Sequence, residues 1–89
     1  MFEIGTKEGG IVGQGIKAGS RIGKNIRKVR RARDITQEQL AAKLQVSGCD
    51  MTRSMIGKIE TGTRHVSVEE LEAIKIVLGM RYEDFFAEN

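Results

Sequence analysis

From Ser20 onward the apolar residues of this chain recur at three- and four-residue spacing, and most of the stretches they form open on a residue able to cap a helix. Ile22, Ile26 and Val29 lie on one stripe, which predicts a first helix over about residues 21–33. Thr36-Gln37-Glu38-Gln39 fits the capping box, in which the Thr hydroxyl and the Gln side chain satisfy two unpaired backbone N–H groups. A second helix is therefore expected from Gln37, burying Leu40, Ala41 and Leu44. Thr52 can cap a third helix that runs to about Thr61, with Gly62 as its stop. Ser67-Val68-Glu69-Glu70 is another capping box; it opens a fourth helix that buries Leu71, Ile74 and Leu78 and stops at Gly79. A short fifth helix around Tyr82–Ala87 brings Phe85 onto the core. No segment alternates at the two-residue period of a strand, so the expected fold is all-α: a compact bundle of five short helices.

With 89 residues, one modest core is available, which excludes a large multidomain enzyme. Seven of the 11 glycines fall at Gly5, Gly9, Gly10, Gly13, Gly15, Gly19 and Gly23, and ordering such a segment costs much backbone entropy. Residues 1–19 are accordingly expected to be a flexible Gly-rich tail, and residues 20–89 the folded domain. Gly13-x-Gly15-x-x-Ala18 echoes a dinucleotide fingerprint but has no strand before it. Gly23-Lys24 echoes a phosphate loop, but Ala18 replaces the first glycine and Asn25 the magnesium-binding hydroxyl. Both echoes are set aside, and no cofactor is expected. The single cysteine, Cys49, cannot close an internal disulfide, no apolar run is long enough to cross a bilayer, and the first residues do not read as a secretory signal. A cytoplasmic protein with no membrane partner is the expectation.

The net charge of +3 conceals an asymmetry. Residues 1–65 hold 13 basic and six acidic groups, whereas residues 66–89 hold only Lys75 and Arg81 against six acids. One end of the molecule should attract polyanions and the other should not. Arg21, Lys24, Arg27, Lys28, Arg30, Arg31 and Arg33 form the dense basic segment, read either as a phosphate-contacting surface or as a solvated helix face.

Two short helices joined by a short connection and preceded by a basic helix follow helix-turn-helix grammar. The blocks Ile22-Gly23-Lys24-Asn25-Ile26-Arg27-Lys28-Val29-Arg30, Ile35-Thr36-Gln37-Glu38-Gln39-Leu40-Ala41, Thr52-Arg53-Ser54-Met55-Ile56-Gly57-Lys58-Ile59-Glu60-Thr61-Gly62 and Leu78-Gly79-Met80 stand in an order and spacing that resembles the phage-repressor and Cro-like helix-turn-helix domains, the XRE family. The resemblance implies a lambda-repressor-like bundle that binds double-stranded DNA. It also implies phosphate contacts at Gln37 and Thr52, which helix N-termini favour independently. The family's pairing of a first-helix Arg with the third-helix Glu maps onto Arg30 and Glu60, which makes Glu60 structural rather than a catalytic acid.

At 100° per residue, Ile56 and Ile59 of the third helix face the bundle, with Glu60 at the edge of that face. Ser54, Gly57, Lys58 and Thr61 face away, a small polar surface suited to a groove about 12 Å wide. Arg53 and Lys58 can reach guanine O6 and N7, Ser54 can address several base edges, and Gly57 would allow close backbone approach, so Arg53, Ser54, Gly57 and Lys58 are the candidate base contacts. Thr61, Thr63 and Arg64, with His65 beside them, are candidate phosphate contacts alongside Gln37 and Thr52. His65 is the only histidine, and no ligand set at metal-binding spacing accompanies it.

The chain departs from the usual family spacing between Leu44 and Glu60, where it is longer. Either the second helix runs an extra turn to Ser47 and stops at Gly48, or the connection is a longer loop. Cys49 lies there, expected as a small, partly buried hydrophobe, with no basic neighbour to activate its thiol. The expected function is a sequence-specific DNA-binding transcriptional regulator acting as a repressor, not an enzyme, with a homodimer built on Met80, Tyr82 and Phe86. The alternative is an antitoxin-like or adaptor module whose acidic C-terminal part grips a partner protein.

Overall fold

Three of the helices begin on a side-chain oxygen. Thr36 Oγ1 accepts from the Gln39 N–H at 3.0 Å while Gln39 Oε1 accepts from the Thr36 N–H at 2.9 Å. Thr52 Oγ1 accepts from the Met55 N–H at 3.1 Å. Ser67 Oγ and Glu70 Oε1 repeat the reciprocal pattern at 3.1 and 3.0 Å. Each such cap is worth about 1 kcal/mol and sets where a helix starts. In the computed structural model, which describes residues 11–88, with side chains from residue 21, the elements are α1 (Ile11–Ala32), α2 (Gln37–Val46), α3 (Arg53–Glu60), α4 (Val68–Leu78) and α5 (Tyr82–Phe85). No strand occurs among the described residues, and the fold is the expected all-α bundle of five helices.

The first helix starts earlier than its apolar stripe suggests, at Ile11 rather than near residue 21. Residues 11–19, read from composition as tail, are helical backbone, and residues 1–10 lie outside the described residues. Once a helix is nucleated on a packed face, each added residue gains one backbone hydrogen bond without a new nucleus, so α1 can propagate outward from its packed part.

The core gathers side chains from every helix: Ile26, Leu40, Leu44, Ile56, Ile59, Ile74, Leu78 and Phe85 are all at most 2% exposed. Leu71, expected inside, is half-buried against this cluster. Met51, in the connection between α2 and α3, is fully buried. The longer spacing resolves as a short extension: α2 ends at Val46, Ser47 caps it, and Gly48 takes a left-handed φ of 94°, after which the Met51 N–H bonds back to Cys49 O at 2.9 Å before the Thr52 cap. Gly79 closes α4 in the same way at φ 67°, a conformation that L side chains rarely adopt. That turn sends Met80 back into the core at 5% exposure, which corrects the expectation that Met80 lies on the surface.

Asn25 ties the chain's C-terminal segment to α1. It is 2% exposed, and its Nδ2 donates to Phe85 O at 2.7 Å and Ala87 O at 2.8 Å. Removing this side chain leaves a buried carbonyl without its partner, a loss of about 1–3 kcal/mol. Asn25→Ala should lower the urea midpoint accordingly with little change in the m-value.

Candidate nucleic-acid interface

The α3 helix is divided lengthwise by burial. Ile56, Ile59 and Glu60 are buried, while Arg53, Ser54, Lys58 and the following Thr61 are exposed and Gly57 is half-covered. The strip expected to read bases is thus on the surface, and none of these outward residues is apolar. At Gly57 an added Cβ would meet only the Gln37 carboxamide, at 3.7–4.0 Å, an ordinary contact. Packing within the protein therefore does not require glycine there.

The hydroxyls around α3 are held by its own backbone. Thr61 Oγ1 donates toward the carbonyls of Gly57 and Lys58 at 3.1 and 3.2 Å and lies 3.2 Å from Thr63 Oγ1. Thr63 Oγ1 also donates to Lys58 O at 3.2 Å. These two threonines share one end of the helix, and Thr52 caps the other.

A charged network fixes the inner edge of the strip. Arg30 Nε and Nη2 donate to Glu60 Oε2 and Oε1 at 2.7 and 3.0 Å, and Arg30 Nη1 donates to Ile35 O at 2.7 Å. Gln37 Nε2 donates to Glu60 Oε1 at 3.0 Å. The Glu60 side chain is 2% exposed, more deeply placed than the edge position read from the helical wheel, because Arg30 and Gln37 close over it. A bidentate pair of this kind fixes orientation as well as distance. Outside it, Arg30, Thr36, Gln37, Glu38 and Arg53 line an open cleft of about 430 Å³ at the α2 N-terminus, in which the exposed Glu38 and Arg53 carry opposite charges.

Arg64, a candidate phosphate contact, is paired within the protein. Its Nη1 and Nη2 donate to Glu70 Oε1 and Oε2, both at 3.0 Å, and Nη1 also donates to His65 O at 3.1 Å. His65 is exposed. The Arg64 hydrogen bonds hold the Glu70 carboxyl below its ordinary value, with the Ser67 backbone N–H adding to the effect and partial burial opposing it. Sequence reasoning missed this pair; its signal was a basic residue just ahead of the Ser67 capping box.

In α4, α5 and the residue after it, Ile76, Tyr82 and Phe86 are 66, 50 and 49% exposed. Tyr82 Oη donates to Glu72 Oε1, and Lys75 Nζ sits 4.9 Å over the Tyr82 ring. Tyr82 and Phe86 are the surface residues expected, and Ile76 joins them. Cys49 is half-buried on a groove of about 320 Å³ shared with Gly48, Ala73 and Ile76, and burial, followed by Glu70 and Asp50, raises its thiol above its ordinary value. Among the described residues no cluster of three metal-ligating side chains forms, and no helix is long and apolar enough to cross a membrane.

Comparison with known proteins converges on one architecture. A family model described as helix-turn-helix matches residues 26–85. The control protein C.BamHI of Bacillus amyloliquefaciens is 36% identical over 63 residues, covering 70% of this chain and 72% of its own length. The control protein C.MunI of a Mycoplasma species is 33% identical over 69 residues, covering 76% and 86%. Among solved structures, the restriction-modification controller protein C.AhdI from Aeromonas hydrophila superimposes with a TM-score of 0.70 at 25% identity, over 80% of this chain and 96% of that one.

Two outcomes follow from the charged groups. Glu60→Ala strands the buried Arg30 guanidinium and should cost about 3–5 kcal/mol in chemical denaturation. For Glu70, a folded value below the ordinary 4.5 means that its contribution is complete above that pH and is lost as pH falls through the folded value. The stability gap between the wild-type chain and Glu70→Gln should therefore be open at pH 7 and close on acidification, as read by melting temperature against pH.

Proposed function

The chain belongs to the helix-turn-helix family, and from that premise we propose that it is a sequence-specific DNA-binding transcriptional regulator whose α3 enters the major groove. The observation that carries this reading is the outward strip of α3, where Arg53, Ser54 and Lys58 are exposed and none is apolar, on a helix whose other face is locked into the core. Arg53, Ser54 and Lys58 are the base-reading side chains, with Gly57 giving room for close approach. Gln37, Thr52, Thr61 and Thr63 flank them and engage phosphates, which set register on the duplex. Arg64, tethered to Glu70, lies at the margin of that set. The exposed Arg21, Lys24, Arg27, Lys28 and Arg31 of α1 supply the positive field that draws the duplex in.

The relatives are named as control proteins and a restriction-modification controller, which supports a regulatory role for this chain in the cytoplasm. Repression follows wherever the bound site overlaps a promoter. The exposed Ile76, Tyr82 and Phe86 supply an apolar face for a homodimer, which would place two recognition helices on half-sites about 34 Å apart. The same face favours the second reading, an adaptor module whose acidic helices hold a partner protein. A stoichiometric partner that survives nuclease treatment in a pull-down would support that reading over the homodimer.

Binding to a selected duplex and to a scrambled one, measured by fluorescence anisotropy across a salt series, tests the main reading. Lys58→Ala should cost about 1–3 kcal/mol on the selected duplex and relax preference at one position. Arg27→Ala, which removes one exposed charge of α1, should weaken binding to both duplexes alike. Equal affinity of the wild-type chain for both duplexes would refute sequence-specific recognition.

A further inference from the structure

We infer that Gly23 is a positioning residue for DNA recognition: by lacking a side chain it lets α1 rest directly on the backbone at the C-terminal end of α3, and so sets how the reading strip is presented. The inference rests on the DNA-binding reading of α3 and assigns that reading a residue outside the interface.

Gly23 is buried in mid-helix, where a glycine weakens the helix and needs a reason. No turn or left-handed conformation supplies one, since the positive-φ glycines are Gly48, Gly62 and Gly79. Its neighbours do. A Cβ built at Gly23 would overlap the Ile59 carbonyl oxygen outright and would stand 2.9 Å from Ile59 C and 3.0 Å from Glu60 Cα. All three are backbone atoms, so no rotamer change relieves the overlap; either α1 or the end of α3 has to move. Gly57 is the contrast, since the same construction there meets only a flexible side chain at ordinary distance.

The atoms met belong to the part of α3 on which the strip depends. Glu60 carries the carboxylate held by Arg30 and Gln37, and the Gly62 N–H donates to Ile59 O at 3.1 Å. Gly23 and Arg30 stand about two turns apart on one side of α1. The first sets the closeness of α1 to α3 and the second sets the orientation. A displacement here would shift Lys58 and Thr61 against base edges and phosphates, and a base contact put out of reach forfeits a discrimination of about 5- to 150-fold.

The test compares Gly23→Ala with Ile26→Val, which removes one carbon from the α1 core and adds no atom against α3. The readout is the ratio of affinities for the selected and scrambled duplexes, taken well below the melting temperature of each protein. A merely structural role would leave that ratio unchanged in whatever fraction is folded. The expected result is a loss of about tenfold or more in the ratio for Gly23→Ala, equivalent to about 1.4 kcal/mol, with scrambled-duplex affinity within about threefold and the Ile26→Val ratio unchanged. A folded Gly23→Ala protein that keeps its ratio within about twofold would overturn the inference. Should Gly23→Ala not fold, the wild-type chain decides by nuclear Overhauser contacts between Gly23 Hα and Glu60 Hα. Their presence both free and on the duplex supports the role, and their absence from the complex overturns it. A wild-type chain that prefers neither duplex would refute the sequence-specific reading itself, and the role of Gly23 with it.

Discussion

The Arg30–Glu60 pair is the constraint on which the rest of the molecule turns. Two charges with side chains 9% and 2% exposed are held in bidentate contact, and each uses its remaining capacity on another part of the chain: Arg30 on the Ile35 carbonyl ahead of α2, Glu60 on the Gln37 side chain at the α2 N-terminus. Three helices thus meet at one ion pair. Such a pair contributes little net stability against a well-packed apolar alternative, because both charges are desolvated; what it supplies is direction. Glu60 can satisfy Arg30 and Gln37 together in few orientations of α3, so the exposed side of that helix points outward as a consequence of what its inner edge must do.

The same logic explains the division of labour around α3. Its N-terminal end is capped by Thr52 and preceded by the buried Met51, its middle is held by Ile56 and Ile59, and its C-terminal end is pressed against α1 and tied to α2. A helix of eight residues has little stability of its own, so its placement comes from these contacts. Freed from any part in the core, Arg53, Ser54 and Lys58 can be chosen for what they meet outside. The Thr61 and Thr63 hydroxyls, bonded back to helix carbonyls, occupy a more rigid position at its end.

Much of this was legible in the sequence, and the boundary of legibility is physical. Helix starts at Gln37, Arg53 and Val68 were readable because capping is local, decided within four residues. The buried side of α3 was readable from its period. Glu60 was placed only at the edge of that side, because a helical wheel treats the helix in isolation and does not include Arg30 and Gln37 closing over it. Met80 was misplaced because its direction is set by the left-handed turn at Gly79, which periodicity does not encode. The Arg64–Glu70 pair joins a loop to a helix start and carries no repeat. Gly23 read as a fragment of a phosphate loop; its reason, the backbone of α3 lying against it, belongs to packing between distant segments. The early start of α1 was hidden by glycine content, which reports the entropy of an isolated segment and not the ease of extending a helix already anchored.

The central claim is that the wet, polar side of α3 selects DNA by sequence. Selection of bound duplexes from a random pool by the wild-type chain tests it most directly. The account predicts enrichment of one short motif, repeated with two-fold symmetry about one helical turn apart. A pool that binds, releases with salt and emerges without any enriched motif would contradict it.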